Sequence, residues 1–168
     1  MNLVFRRGFT KIEFLIVMGI LAALGLATYL GIQNSQKLAR DFQRKDDLRS
    51  IVNALTAYRT DHGVYPLSDS AGGGRIKACS CKDTEKADFC EWSGKGPREF
   101  CDGKNTVYMR QIPWDPGGVT QYCYWSDGSF FKLYAELENK GDPERLNKEE
   151  VCNNLKYNYG IFSPNLEK

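Results

Sequence analysis

Few residues in this chain have the type and spacing for chemistry. The six cysteines, Cys79, Cys81, Cys90, Cys101, Cys123 and Cys152, all lie beyond residue 78. Their even number fits disulfides formed in an oxidising compartment. Sequence selects no pairing among them, but Cys79 and Cys81 stand too close to bond to each other. Four thiolates could instead hold zinc tetrahedrally. No CxxC spacing is present, however, and the gaps after Cys81 are irregular. Free thiols are a third reading. His62 is the single histidine. A catalytic imidazole needs a nucleophile or carboxylate beside it, whereas a histidine closing a helix simply suits the dipole. Gly72-Gly73-Gly74 lacks the Gly-Lys-Ser/Thr of a phosphate cradle and reads as a surface loop. No catalytic residues are assigned, and an enzyme is not expected. The remaining unusual group is Glu13, a carboxylate at the mouth of an apolar run.

That run, residues 14–32, carries no charge. As a helix it spans about 28 Å, which matches a hydrocarbon core of about 30 Å. Arg6 and Arg7 precede it, so the positive-inside rule leaves the N-terminus in the cytoplasm and exports the rest. A cleavable secretory signal competes with a retained anchor, with Gly25-Leu26-Ala27 as a weak cleavage site and Thr28 as the new start. The run is long for a signal, and a signal's apolar region does not normally open with a carboxylate. A carboxylate at the centre of a membrane helix costs on the order of 3 kcal/mol, and less near the edge. Glu13 therefore needs headgroups, water or a partner. Lys11 does not face it, because positions two apart on a helix point in different directions.

Helical periodicity continues past Gln33. Leu38 and Phe42 are four apart, and Leu48, Ile51, Leu55 and Tyr58 recur at helical spacing. Lys37, Asp41 and Lys45 are spaced to support one another on an exposed face. His62-Gly63 reads as a stop, and Tyr65-Pro66 lies beyond it. One helix over 9–61 would be roughly 80 Å long. Gly25 and Gly31 place any bend or melted stretch between them.

Residues 63–104 read as a long cysteine-rich loop that needs something to hold it. Strand signals follow at 106–112, 119–126, 129–137 and 156–162. Asp127-Gly128 is a two-residue hairpin signal. Phe131, Leu133, Ala135 and Leu137 alternate towards the helix, with Cys123 and Trp125 expected opposite them. The many aromatics here fit cross-strand and core packing better than a base-stacking or carbohydrate surface. The fold class is α+β: a long N-terminal transmembrane and amphipathic helix packed on a small antiparallel sheet, with a cysteine-rich loop.

Arg6-Arg7-Gly8-Phe9-Thr10-Lys11-Ile12-Glu13 and the apolar helix after it resemble the class III signal of type IV pilins and type II secretion pseudopilins. Ile112-Pro113-Trp114-Asp115-Pro116, before Tyr122-Cys123-Tyr124, is similar to the Leu-Pro-x-Asp-Pro turn of major pseudopilins. Lys11 departs from that pattern, as does Gly117-Gly118 in place of Trp-Gly. The resemblance implies cleavage between Gly8 and Phe9 by a prepilin peptidase and N-methylation of Phe9. It also implies that Glu13 docks on the Phe9 ammonium of a neighbouring copy. It pairs Cys123 with Cys152 by analogy with the C-terminal disulfide loop of pilins. It raises calcium in a late loop, where Glu138, Asn139 and Asp142 are the nearest match. Lys140, Lys148 and the missing Asp-Gly-rich ending count against that site, and tight-turn chemistry explains the same residues.

The expected organisation is a cytoplasmic leader (1–8, removed), a transmembrane and filament-core helix (9–32), and an amphipathic helix (33–62). The cysteine-rich loop (63–104) and a sheet with a C-terminal loop (105–168) follow. The expected partners are further copies of the chain, minor pilins or pseudopilins, the peptidase, an assembly platform and the membrane. The leader's arginines also account for the net charge of +2, because removing two of the 23 basic residues leaves 21 against 21 acidic ones. So balanced a chain gives no reason to expect nucleic acid. It would start as a single-pass inner-membrane protein and end in a pilus or secretion pseudopilus. An anchored extracytoplasmic binding module that never polymerises is the alternative, and a secreted disulfide-rich enzyme or inhibitor is a third possibility.

Overall fold

The computed structural model describes residues 10–69, 74–79, 89–90, 92, 99–102, 106–118 and 120–164. Arg6, Arg7, Gly8, Phe9, Gly72, Gly73 and Cys81 lie outside them. The chain divides into two compact units, Met1–Lys37 and Leu38–Lys168.

The described part of the first unit is helical from Lys11 onward. Helix α1 is assigned over Lys11–His62, 52 residues. It starts with a capping device legible in Thr10-Lys11-Ile12-Glu13: the Thr10 hydroxyl accepts from the Glu13 N–H at 3.2 Å, satisfying a donor the helix leaves orphaned. The hydroxyls of Thr28 and Ser35 bond back to the Leu24 and Gly31 carbonyls, so neither is left bare. Helix continues through Gly25 and Gly31 with no melted stretch.

Among its described residues the second unit holds the rest of α1 and seven strands: β1 (Phe100–Cys101), β2 (Val107–Met109), β3 (Cys123–Ser126), β4 (Phe131–Ala135), β5 (Glu150–Cys152), β6 (Leu155–Tyr157) and β7 (Tyr159–Phe162). Gly63 ends α1 in the left-handed region, at φ 75°. Its N–H bonds the Arg59 carbonyl at 2.7 Å, the hydrogen bond of a helix C-cap that glycine adopts without steric cost.

These strands pair as three antiparallel sheets among the described residues: β1-β2, β3-β4-β7 and β5-β6. Leu48, Ile51 and Leu55 of α1 pack with Phe131, Leu133, Ala135 and Leu137 in the main core. Tyr124, not Cys123 or Trp125, joins that face, because the register pairs Tyr124 with Leu133 and Trp125 with Lys132. The alternation at 122–125 is obscured by four consecutive apolar or aromatic residues. The opposite face is also covered: Tyr134 packs with Cys123, Cys152 and Tyr157 in a second cluster.

The hairpin loop has four residues rather than two, since Ser126 pairs with Phe131. The Asp127 carboxylate accepts from the N–H groups of Ser129 and Phe130, forming the turn from its own side chain. The expected strand at 106–112 is only three residues long, and its partner β1 falls inside the segment read as loop. The expected last strand is two strands, β6 and β7, separated at Asn158. A further hairpin, β5-β6, turns on Asn153-Asn154, both with positive φ, which Asn tolerates.

The 63–104 segment is tied down rather than loose at its described positions. Ser68 pairs with Ile76, and Lys77 with Phe89. Gly74 is buried, at φ 116°, and exchanges backbone hydrogen bonds with Tyr124. The surface-loop reading therefore fails at Gly74, which lines the edge of β3 and accepts from the Trp92 indole. Cys79–Cys90 and Cys123–Cys152 are disulfides, and Cys101 is disulfide-bonded as well. The zinc and free-thiol readings fall for these five residues. Cys123–Cys152, the pair the resemblance singles out, ties β3 to β5.

Candidate functional site

Two features have no packing explanation or carry unusual electrostatics, one in each unit. In the first unit, every side chain whose burial is described over 10–37 is exposed. Ile12 is 71% and Leu26 67% exposed, with Phe14, Leu15, Leu21 and Leu24 in the same state. Isolated exposed apolar residues are ordinary, but an apolar surface of this extent marks a lipid or protein interface. The helix is long and apolar enough to cross a membrane. Glu13 sits in its first turn, where a carboxylate also favours the helix dipole.

In the second unit, a buried polar cluster joins α1 to the Asp-Pro turn. Arg44, Asp41 and Asp115 have side chains only 3%, 3% and 4% exposed. Arg44 Nε donates to Asp115 Oδ1 at 2.5 Å, and Nη1 donates to Asp41 at 2.7 Å and to Glu138 at 2.8 Å. Arg40 grips Glu138 with two further bonds, of 2.7 and 2.6 Å. Burial alone would lower the Arg44 pKa, but hydrogen bonds to Asp115, Glu138 and Asp41 outweigh it and raise it. The Glu138 carboxyl is held down to about 2, first by the Arg40 hydrogen bonds and then, against burial, by Arg44.

Asp41 is therefore not part of an exposed Lys37–Asp41–Lys45 ladder. Its two oxygens accept from the backbone N–H groups of Glu138 and Asn139, at 2.9 and 2.7 Å. The cause lies in backbone accounting. Past the end of β4, Leu137 loses its strand partner, and the Asn158 side chain takes over both its N–H and its carbonyl. The next two N–H groups pass to Asp41. No sequence pattern marked Asn158 or Asp41 for these roles, because each partner lies at least 21 residues away.

The same cluster explains the turn at 115–118. The Gly118 N–H bonds the Asp115 carbonyl at 3.0 Å, and the Gly117 N–H bonds Asp115 Oδ2 at 2.9 Å. A Cβ on Gly117 would lie 2.7 Å from Arg44 Nη2 and 3.0 Å from Asp115 Oδ2. Nearby, burial raises the Asp47 pKa against its 2.6 Å hydrogen bond from Tyr122.

His62 is structural in its surroundings. It stacks on Tyr58 at 4.3 Å, with Nε2 3.4 Å from Asp102 Oδ2. The calcium candidates are each held by a different partner. Glu138 belongs to Arg40 and Arg44, Asp142 belongs to Lys45, and the Asn139 side chain accepts from Gly141. A cation that needs six or more oxygens has no open carboxylate here, so these residues do not fit one. Among the described residues no cluster of three or more His, Cys, Asp or Glu could hold a metal.

An exposed apolar helix at the N-terminus of an α+β unit, with an Asp-Pro turn locked to the helix, defines a pilin-like subunit. No family model matches the chain, and no solved structure matches it significantly. It is 31% identical over 132 residues to a type II secretion system core protein G of Pectobacterium carotovorum subsp. carotovorum, covering 76% of this chain and 72% of that protein. It is 28% identical over 140 residues to the protein of that name from Vibrio cholerae serotype O1, covering 80% and 84%. The Aeromonas hydrophila protein is 27% identical over 126 residues, covering 75% and 77%. The chain belongs to the type II secretion system core protein G family, and it is a pseudopilin.

Proposed function

We propose that this pseudopilin is a structural subunit, not an enzyme, of a type II secretion filament. It is made with residues 1–8 in the cytoplasm and held in the inner membrane by 9–32. Prepilin peptidase cuts between Gly8 and Phe9, and Phe9 is N-methylated. The assembly platform then draws subunits from the membrane into a pseudopilus with further copies of the chain and minor pseudopilins. Glu13 sets the register by pairing with the Phe9 ammonium of a neighbour.

The observation that carries this reading is the bare apolar helix surface between Ile12 and Ile32. Lipid covers such a surface in the membrane, and other copies of the same helix can cover it in a filament. Formal neutrality after loss of Arg6 and Arg7 limits repulsion between densely packed copies.

The test is filament yield with the rest of the secretion apparatus co-expressed. Wild-type chain is expected to form sheared, sedimentable filaments. Glu13→Ala is expected to reach the membrane in normal amount but to give markedly fewer filaments. Undiminished filaments from Glu13→Ala would remove its assigned role. No filaments from the wild-type chain would favour an anchored module that does not polymerise.

A further inference from the structure

The segment from Glu138 to Leu146 has almost no apolar anchor of its own, yet it lies in a defined path. Its start is fixed by Asp41 and its end by the Leu146 N–H on the Asn158 carbonyl, at 2.7 Å. Between these points the backbone turns twice, at Asn139–Asp142 and Asp142–Arg145. The centre is held by one side chain. Lys45 Nζ lies 2.8 Å from both oxygens of Asp142 and 3.0 Å from Glu144 Oε2. It also lies 5.6 Å from the centroid of the Tyr159 ring. The Lys45 and Asp142 side chains are each 13% exposed.

We infer that Lys45 is a built-in cation for this segment, so that the segment folds onto α1 without a divalent metal. An ammonium has three N–H donors, and three carboxylate oxygens surround this one. Asp142 Oδ1 is further occupied by the Glu144 N–H at 2.9 Å. A hard divalent ion would need the same oxygens at about 2.3–2.6 Å and would have to expel the ammonium that already neutralises them. Glu138, the remaining carboxylate that could help, is neutralised by Arg40 and Arg44. Three basic residues of α1 thus serve the acidic residues of one loop. This inference concerns folding of the second unit and stands whether or not the chain polymerises.

The experiment is thermal unfolding of the full-length chain in detergent, with EDTA or with excess calcium chloride, on wild type and Lys45→Ala. Amide hydrogen exchange over 138–146 is followed in parallel. Wild type is expected to melt at the same temperature in both buffers. Lys45→Ala in EDTA is expected to melt about 4 °C or more lower, with exchange in 138–146 faster by about tenfold. A wild-type midpoint that drops in EDTA and recovers with calcium would overturn the inference. So would a Lys45→Ala protein that keeps both the wild-type midpoint and the wild-type protection in EDTA. If Lys45→Ala fails to fold, Lys45→Arg in EDTA replaces it, with retained protection over 138–146 expected and lost protection contradictory.

Discussion

At the scale of single residues, Arg44 joins three carboxylates in the second unit. Its guanidinium is the shared counter-ion of Asp41, Asp115 and Glu138, two of them buried. Removing one member of such a cluster strands the others without solvent, which typically costs about 3–5 kcal/mol. Arg44→Met should therefore lower unfolding free energy by that order in urea titrations of the full chain. Acid should act through the same groups. The Glu138 pKa is depressed in the fold to about 2, and that of Asp142 is depressed by Lys45 and the Glu144 N–H against burial. Depressed carboxyls contribute stability that is complete above their unfolded pKa and is lost as pH falls through the folded one. The urea midpoint should accordingly decline as pH falls below about 4.5 towards 2, and Glu138→Gln should flatten that decline. Asp47 acts with the opposite sign, because its folded pKa is raised by burial. The four-residue spacing of Asp41 and Lys45 reads as mutual support on an exposed face, whereas both side chains turn inward to other partners. Asp41 has one local partner, Arg44, but Glu138, Asn139 and Asp142 lie 97 or 98 residues from the side chains they meet, and no local period reports such a contact.

At the scale of elements, α1 was the most legible part of the chain. Its apolar run, its Leu48-Ile51-Leu55 stripe and its Gly63 stop each follow from a local rule. The Thr10 cap on the Glu13 N–H follows from a local rule as well. The hairpin between β3 and β4 was visible in Asp127-Gly128, although its loop is longer because Asp127 builds its own turn. The short strands β1 and β5 left no alternating pattern to read, being two and three residues long. They are held by crosslinks and long-range hydrogen bonds instead. Cys123–Cys152 closes a segment with a sequence separation of 29. On the chain-entropy model such a loop is worth about 3–4 kcal/mol. Cys123→Ser with Cys152→Ser should lose about that much in equilibrium unfolding. The turn at 115–118 offers a second element-scale test. Gly117→Ala introduces a methyl group against the paired Arg44 and Asp115 and should destabilise by about 1–3 kcal/mol, seen as a lowered melting temperature.

At the scale of the whole molecule, the two units have opposite relations to solvent. The second buries its aromatic core on both faces of a small sheet and, among the described residues, leaves no buried side-chain polar atom without a partner. The first leaves its described apolar side chains exposed. That contrast was legible from composition alone, because charge is absent over 14–32 while all six cysteines lie in the remainder. Arg6 and Arg7 account for the +2 charge; in the proposed function they set topology first, and processing at Gly8 then leaves a formally neutral subunit. The mature N-terminus tests this most directly. Intact mass and peptide sequencing of the chain purified from membranes should show a protein that begins at Phe9 and carries one added methyl group on its amino nitrogen. A protein that begins at Met1 or Asn2, or at Thr28 after signal-peptide removal, would contradict assembly through a processed pseudopilin helix.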